Sequence, residues 1–302
     1  MIEAKIKSPV VLKKFLDAIN EHVSEANFDC DEDGLKLRTM ANNFVVVVAA
    51  DINAESLLEY RCDRSATLGV NFASLTNLIK SAKDDDTVTL RHTDNGDVLH
   101  LIHEAKNMGG LAEYDVKLVH INTEELRVPD MDYDATVELS SAEFQKIEGD
   151  LNDIGESVRI RVTQEGVCFT SESESASRSI LLKQSGGGKI ESVKKKSGVK
   201  QKDTADEGAD DGKKAMEGEA TIHMNQHVNL TFTLRYLVSI AQSGSISKNV
   251  NLKLGNDLPL QAYYSLPISP ITVSRGTSRW AKLHLRMRNN LSTMGELRQA
   301  QF

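Results

Sequence analysis

Cysteine is scarce in this chain of 302 residues: three, at 30, 62 and 168, with no Cys-x-x-Cys spacing. An odd, scattered set builds neither a disulfide framework nor a metal knuckle, so the sequence predicts reduced thiols in a reducing compartment. Aromatic residues are only 5% of the chain, and the apolar content is mostly Leu, Val, Ile and Ala. The longest apolar run, Phe44 to Ala50, is seven residues, far short of the about 20 that a helix needs to cross a bilayer. The opening Met1-Ile-Glu-Ala-Lys has no apolar stretch of the kind a secretory leader carries. These absences predict an intracellular protein without membrane contact. Signatures of catalysis are missing too: no nucleophile elbow, no HExxH, no Walker motif. Gly188-Lys189 is followed by Ile190, where a phosphate loop needs Ser or Thr to hold its metal. Neither an enzyme nor a bound cofactor or metal is expected.

What is present is enough to fold. Hydrophobic residues are 40% of the chain, which excludes global disorder, and the length suggests two domains of about 150 residues. Lys and Arg number 36 against 44 Asp and Glu, a net charge of −8. That argues against an all-over positive coat but leaves room for basic residues gathered on one surface.

The chain repeats itself. Phe28-x-Cys30-x-x-x-Gly34-Leu35-x-Leu37 matches Ile160-x-Val162-x-x-x-Gly166-Val167-x-Phe169, 132 residues later. Leu12, Phe15 and Ile19 fall on Phe144, Ile147 and Leu151 at the same offset. Val70-x-Phe72-x-x-Leu75-x-x-Leu78 then meets Phe232-x-Leu234-x-x-Leu237-x-x-Ile240, and Val88-x-Leu90 meets Val250-x-Leu252, now 162 apart, so the second copy carries 30 extra residues. In each copy an amphipathic helix (Pro9 to Val23; a start at Ser140-Ser141) precedes alternating strands. Strands are predicted at Gly34 to Met40, Phe44 to Ala50 and Thr87 to Arg91, the last turning at Asp94-Asn95-Gly96 into Val98 to His103. A second short helix is predicted at Ala73 to Ala82 and at Leu234 to Gln242. The fold class is α+β, with two helices per copy on one face of antiparallel sheets.

Two segments break the pattern. Residues 185–219 contain Gly186-Gly187-Gly188, Lys194-Lys195-Lys196 and an acidic stretch, and read as a disordered loop whose lysines could serve nuclear import. Residues 267–302 hold six basic residues and one acid, a net of +5 against −13 for the rest. Elsewhere, His100 and His103 lie an odd number apart in a predicted strand and face opposite sides, so they do not share a metal. Asp84-Asp85-Asp86 reads as a solvated turn. More informative are basic residues recurring on the helices: Lys13 and Lys14, Lys146 at the 132 offset, Lys80 and Arg235, with acids expected elsewhere. Such a layer attracts phosphates without reading bases.

Several strings resemble one family. Glu3-Ala4, Leu12-Lys13-Lys14, Tyr60-Arg61-Cys62-Asp63-Arg64, Gly69-Val70-Asn71 and Leu230-Thr231-Phe232-Thr233-Leu234-Arg235-Tyr236-Leu237 are similar to those of proliferating cell nuclear antigen, the eukaryotic DNA sliding clamps. The resemblance runs from Met1 to about Tyr264 and implies a homotrimeric ring of six similar domains, helices lining a channel around duplex DNA and sheets outside. It implies nuclear work as a processivity factor that tethers DNA polymerases, flap nuclease and DNA ligase through short peptide motifs, after opening by a clamp loader. The implied boundaries are clamp domain 1 at 1–115, a connecting linker at 116–134, clamp domain 2 at 135–266 and an atypical basic tail at 267–302.

Carried over position by position, the DNA-facing residues are Lys13, Lys14, Lys80, Lys146 and Arg235. Asn20, Asn77, Gly149 and Gln242 stand where the family expects a basic residue. Met40, Phe44, Val45, Leu126, Val128, Pro129, Tyr133 and Pro259 resemble the partner-peptide groove. Tyr114, Lys117, Ile180 and Leu182 resemble the subunit interface, with Tyr114 and Ile180 expected to become buried there. Gln164 replaces the family's modifiable lysine. The family's closing Met-Gly-x-Leu segment resembles Met294-Gly295-Glu296-Leu297, so roughly 267–292 is expected to be a poorly packed insertion and one groove wall to be missing. The alternative from another class is a divergent or defective clamp that scaffolds proteins without encircling DNA.

Overall fold

A computed structural model describes residues 1–7, 9–94, 96–106, 109–122, 131–185, 218–267 and 280–287. The expectations for 186–217 of the loop, for Leu126, Val128 and Pro129, and for the Met294-Gly295-Glu296-Leu297 segment fall outside them. In chain order the first copy is β1 (Ile2–Ile6), α1 (Pro9–Asn20), β2 (Glu25–Asp31), β3 (Gly34–Met40), β4 (Val46–Asn53), β5 (Glu59–Cys62), β6 (Ala66–Asn71), α2 (Phe72–Lys80), β7 (Thr87–His92), β8 (Val98–Glu104) and β9 (Leu111–Lys117). The second is β10 (Ala135–Ser140), α3 (Ser141–Asn152), β11 (Ser157–Val162), β12 (Gly166–Glu172), β13 (Ser177–Gln184), β14 (Gly218–Met224), β15 (Val228–Thr233), α4 (Leu234–Gln242), β16 (Asn249–Leu254), β17 (Leu260–Pro267) and β18 (Trp280–Met287). The two orders are the same, element for element.

Pairing repeats as well. The first copy has one sheet in the order β5-β1-β7-β8-β9 and another that runs β6-β2-β3-β4. The second copy has β14-β10-β16-β17-β18 and β15-β11-β12-β13, which fuse where Leu182–Gln184 of β13 run parallel to Gly218–Ala220 of β14. Gly34 and Gly166, the anchors of the sequence repeat, have one cause. At each, a Cβ would fall onto the backbone carbonyl of the neighbouring strand, of Ile52 or of Leu182. Each copy packs its helix pair on its sheets: Leu12, Phe15, Leu16 and Ile19 of α1 are buried, as are Phe144, Ile147 and Leu151 of α3.

Boundaries move where local chemistry overrides the pattern. Helix α1 ends at Asn20, and His22 and Val23 close onto the carbonyl of Ile19. Strand β4 begins at Val46, because a tight turn holds Ala41 N–H to the Val46 carbonyl and Asn43 Oδ1 accepts from the amides of Val45 and Val46. Phe44 therefore sits outside the strand at φ 56°, 82% exposed. Ser140 caps α3 with extended backbone, but its hydroxyl makes no cap hydrogen bond.

The tail brings the largest correction. Residues 280–287 are not part of a loose insertion. They form β18, which pairs with β17 along its length and with β4 of the first copy, Ala281 opposite Ile52 through Met287 opposite Val46. Leu283, Leu285 and Met287 are buried in the core. The ninth strand of the second copy thus lies beyond 266, and it joins the copies into one continuous sheet.

One core residue breaks the repeat. Glu148 of α3 stands where α1 has the buried Leu16; it has no accessible surface, and among the described residues neither carboxyl oxygen has a hydrogen-bond partner. Burial pushes its pKa from the ordinary 4.5 up to about 8. The native state therefore holds the proton that the unfolded chain gives up, so stability falls as pH rises from about 4.5 and levels off above about 8. The slope is at most about 1.4 kcal/mol per pH unit. Glu148→Leu should stabilise the fold by roughly 3 kcal/mol at pH 8, with the gain shrinking towards pH 5. Chemical denaturation at the two pH values checks this; an equal gain at both would refute the assigned titration.

Candidate nucleic-acid, partner and subunit surfaces

The helices bury one stripe and expose the other, which decides where each basic side chain can reach. Lys14, Lys80, Lys146 and Arg235 are exposed, while Lys13 is half-buried. Lys13 is drawn off the surface: its Nζ donates to the Ala82 carbonyl at 2.6 Å and lies 3.6 Å from Asp84. Lys80 Nζ is 2.9 Å from Asp17 Oδ1, across from α2 to α1. The acids are thus not all elsewhere; Asp17 and Asp84 share this layer and compete with phosphate for two of the five cations. Among the described residues no ion pair engages Lys14 or Lys146. The Arg235 guanidinium carbon lies 4.5 Å from the centre of the Tyr236 ring, and the guanidinium donates to that ring's hydroxyl while the side chain stays exposed. Asn20, Asn77, Gly149 and Gln242 are all exposed on the same helices.

Of the described partner-groove candidates, Met40 lies at the end of β3, and Phe44, Val45, Tyr133 and Pro259 lie in the segments between strands. Strand pairing sets a row across five strands: Met40 beside Val47, then Arg286, Gln261 and Lys253. The Lys253 Nζ lies 6.0 Å from the centre of the Tyr133 ring. Burial raises the Tyr133 phenol pKa, and the nearby Arg286 charge opposes that shift. Met40, Val45, Tyr133 and Pro259 are half-buried and Phe44 projects outward. Strand β18 fills the place beside β17 where a wall is expected to be missing, and away from its core residues it carries His284 and Arg286, the latter only 9% exposed. Tyr263 packs its ring on His284 at 4.8 Å. Sequence reasoning missed both residues, although the alternation of Leu283, Leu285 and Met287 in the tail was a strand signal.

The interface candidates lie on two strand edges. Tyr114 is half-buried on β9, tilted against the His103 ring at 5.0 Å, and Lys117 is exposed at the end of that strand. Ile180 and Leu182 of β13 are already buried in their own core, because alternate residues of that strand point inward. They do not wait for a partner chain to cover them; what β13 offers outward is its backbone edge and Leu181. His100 and His103 do face apart: His100 Nδ1 is 2.7 Å from Asp115 Oδ1, and His103 is buried.

Known proteins match this chain along both copies. The family model for the proliferating cell nuclear antigen N-terminal domain matches residues 1–126, and that for its C-terminal domain matches 127–207 and 196–269. A proliferating cell nuclear antigen of Chaetomium thermophilum is 35% identical over 266 residues, covering 88% of this chain and 93% of the relative.

The helix layer yields a test. Lys14→Glu with Lys146→Glu should lower duplex-DNA affinity more than Lys13→Glu with Lys80→Glu, since the latter pair is held by Asp84 and Asp17. At Gly149 a Cβ would meet nothing within 4 Å. Gly149→Lys should therefore stabilise α3 by up to about 1 kcal/mol and steepen the salt dependence of DNA binding by about 0.9 per added phosphate contact. Salt titrations of binding, with melting curves alongside, check both; an unchanged slope would remove Gly149 from the DNA-facing surface.

Proposed function

The chain belongs to the proliferating cell nuclear antigen family, and from that membership we infer that it works as a non-catalytic homotrimer closed around duplex DNA in the nucleus. It is a DNA sliding clamp, a processivity factor and scaffold. On the family's pattern its partners are DNA polymerases, flap nuclease, DNA ligase and the clamp loader, held through short peptides on the outer face around Met40, Val45 and Tyr133. The boundaries near 115 and 135 fit this reading, with the second domain extended to 287 by β18.

One observation carries the closure. The junction between the two copies inside the chain supplies a template for the junction between chains. Strand β4 is the counterpart of β13, and β9 that of β18. Inside the chain β18 covers β4. Among the described residues, β9 and the Ser177–Leu181 stretch of β13 each have one side with no paired strand. Transferring the register of β18 on β4 through the hairpin pairings places Leu111 opposite Leu181, Ala112 opposite Ile180, Glu113 opposite Ser179, Tyr114 opposite Arg178 and Asp115 opposite Ser177. Lys117 and Leu182 fall outside these five pairs.

The register is consistent on two counts. Core-facing residues meet core-facing ones, which a slip of one residue would reverse. Leu111 and Leu181, 60% and 37% exposed in the single chain, come to face each other. A head-to-tail contact covers both edges, and it ends when the rotation closes. The defective-clamp alternative drew on the unusual tail and the lost basic positions; a tail that builds the ninth strand removes the first of these.

Cross-linking tests the reading. Asp115→Cys with Ser177→Cys should give, on mild oxidation, a covalent ladder ending at three chains, and neither single variant should. No ladder, or one ending elsewhere than three, would overturn the proposed ring.

A further inference from the structure

The helix side of the junction inside the chain holds a histidine that neither the fold nor the DNA surface requires. His22 follows α1 in the first copy and is 3% exposed. Both ring nitrogens reach hydroxyls of the second copy: Nε2 lies 3.0 Å from Ser243 Oγ and Nδ1 3.3 Å from Ser239 Oγ. Its backbone carbonyl accepts from the Asn42 amide, in the turn that presents Phe44. On the opposite, sheet side, the junction is the β4–β18 ladder. The two copies are therefore tied at two levels, by seven residue pairs outside and by one imidazole between two serines inside.

We propose that His22 is an acid-sensitive latch on the helix side of this junction, with the β4–β18 ladder as the hinge. The neutral ring suits the pocket, donating from one nitrogen and accepting at the other. A second proton leaves both hydroxyls as acceptors but puts a full charge where water does not reach. The charged and titratable groups on the elements around the ring are Lys13, Lys14 and Asp17 on α1, Glu21 beside it, Glu25, Asp29, Cys30 and Asp31 on β2, Arg235 and Tyr236 on α4, and Glu143, Lys146, Glu148 and Asp150 on α3. The short helical turn Ser243–Ser245 carries none. Burial alone accounts for the fall in the histidine's pKa from the ordinary 6.5 to about 4, with no carboxylate offsetting it.

The sign follows. The open junction takes up a proton below about 6.5 and the closed one only near 4, so acid favours opening throughout that interval. Opening that also exposed Glu148 would release its proton over the same interval and oppose the histidine, so the two are separated by working in a Glu148→Leu background. The proposal rests on the ring reading for its consequence: in the transferred geometry, Ile154 meets Asn77 and Ser81 at the junctions between chains. Acid would then loosen three alternate junctions of six and change the ring's shape before its subunit number.

Amide exchange on the intact protein tests this. After correction for intrinsic rates, opening of residues 234–245 in the Glu148→Leu chain should increase about twentyfold between pH 7 and pH 5, and adding His22→Gln should remove the increase. A Glu148→Leu chain without the increase, or a Glu148→Leu/His22→Gln chain that keeps it, overturns the latch. Should His22→Gln fail to fold, the imidazole's own NMR titration in the wild-type chain decides: a midpoint near 4 to 5 supports the latch, and one at 6.5 or above overturns it. Neither readout depends on ring closure, which the cross-linking ladder measures separately.

Discussion

An unpaired strand edge is the constraint on which the rest of this molecule depends. Each copy of the domain ends in two such edges, the fourth strand and the ninth. Backbone amides and carbonyls left there pair with any available strand. The first copy's β4 and the second copy's β18 satisfy each other within the chain, and the same roles recur unfilled on β13 and β9. A duplicated domain with one satisfied junction and one complementary open junction is a heterologous building block, and it polymerises unless the angle per junction closes the path. The shape of the junction, rather than the chemistry of a pocket, is what selection on such a chain acts upon.

Charge follows from the same logic. A protein that encircles its ligand keeps it by topology, so its contacts with phosphate need only be attractive on average. A net charge of −8 and a helix layer in which Asp17 and Asp84 hold back Lys80 and Lys13 are tolerable under that requirement. They would be disabling for a protein that had to capture linear DNA by affinity. The exposed positions at Asn20, Asn77, Gly149 and Gln242 extend the tendency: the surface is uncharged there, and at Gly149 an added Cβ would meet nothing within 4 Å.

Much of this was readable in the sequence because the repeat is anchored by backbone geometry. Gly34 and Gly166 mark the same close strand approach, so the 132-residue offset located helices and strands together. The tail was misread for a complementary reason. Its alternation of Leu283, Leu285 and Met287 satisfies the period of a buried strand, but the Met294-Gly295 string drew the reading further along. Periodicity reports which face is buried, and here it carried more structural weight than a short similarity. Composition places Phe44 in a strand, whereas Asn43 side-chain hydrogen bonds delay the start of that strand to Val46, two residues later. His22 and Glu148 left no local signal at all. A polar residue within a helical pattern looks solvated until the packing of other elements shows that water is excluded.

These two residues also explain how one fold tolerates ionisable groups inside. Each is kept neutral, but at opposite costs: His22 by giving up a proton and Glu148 by holding one. Neither imposes its full penalty between the two shifted values, since the native forms there carry no buried charge. The residual penalty is the proton that each exchanges with solvent on unfolding. In the first copy Leu16 avoids it altogether. The second copy accepts it beside Tyr264, whose hydroxyl donates to the Ile240 carbonyl of α4 at 2.9 Å, and the His22 serines lie on and just after that same helix. Helix α4 is thus the element on which both neutral groups bear, directly through His22 and through Tyr264 in the case of Glu148. It also carries Arg235 towards the proposed channel. A change of charge on either group is therefore felt first at the helix that links the chain's internal junction to its DNA-facing surface.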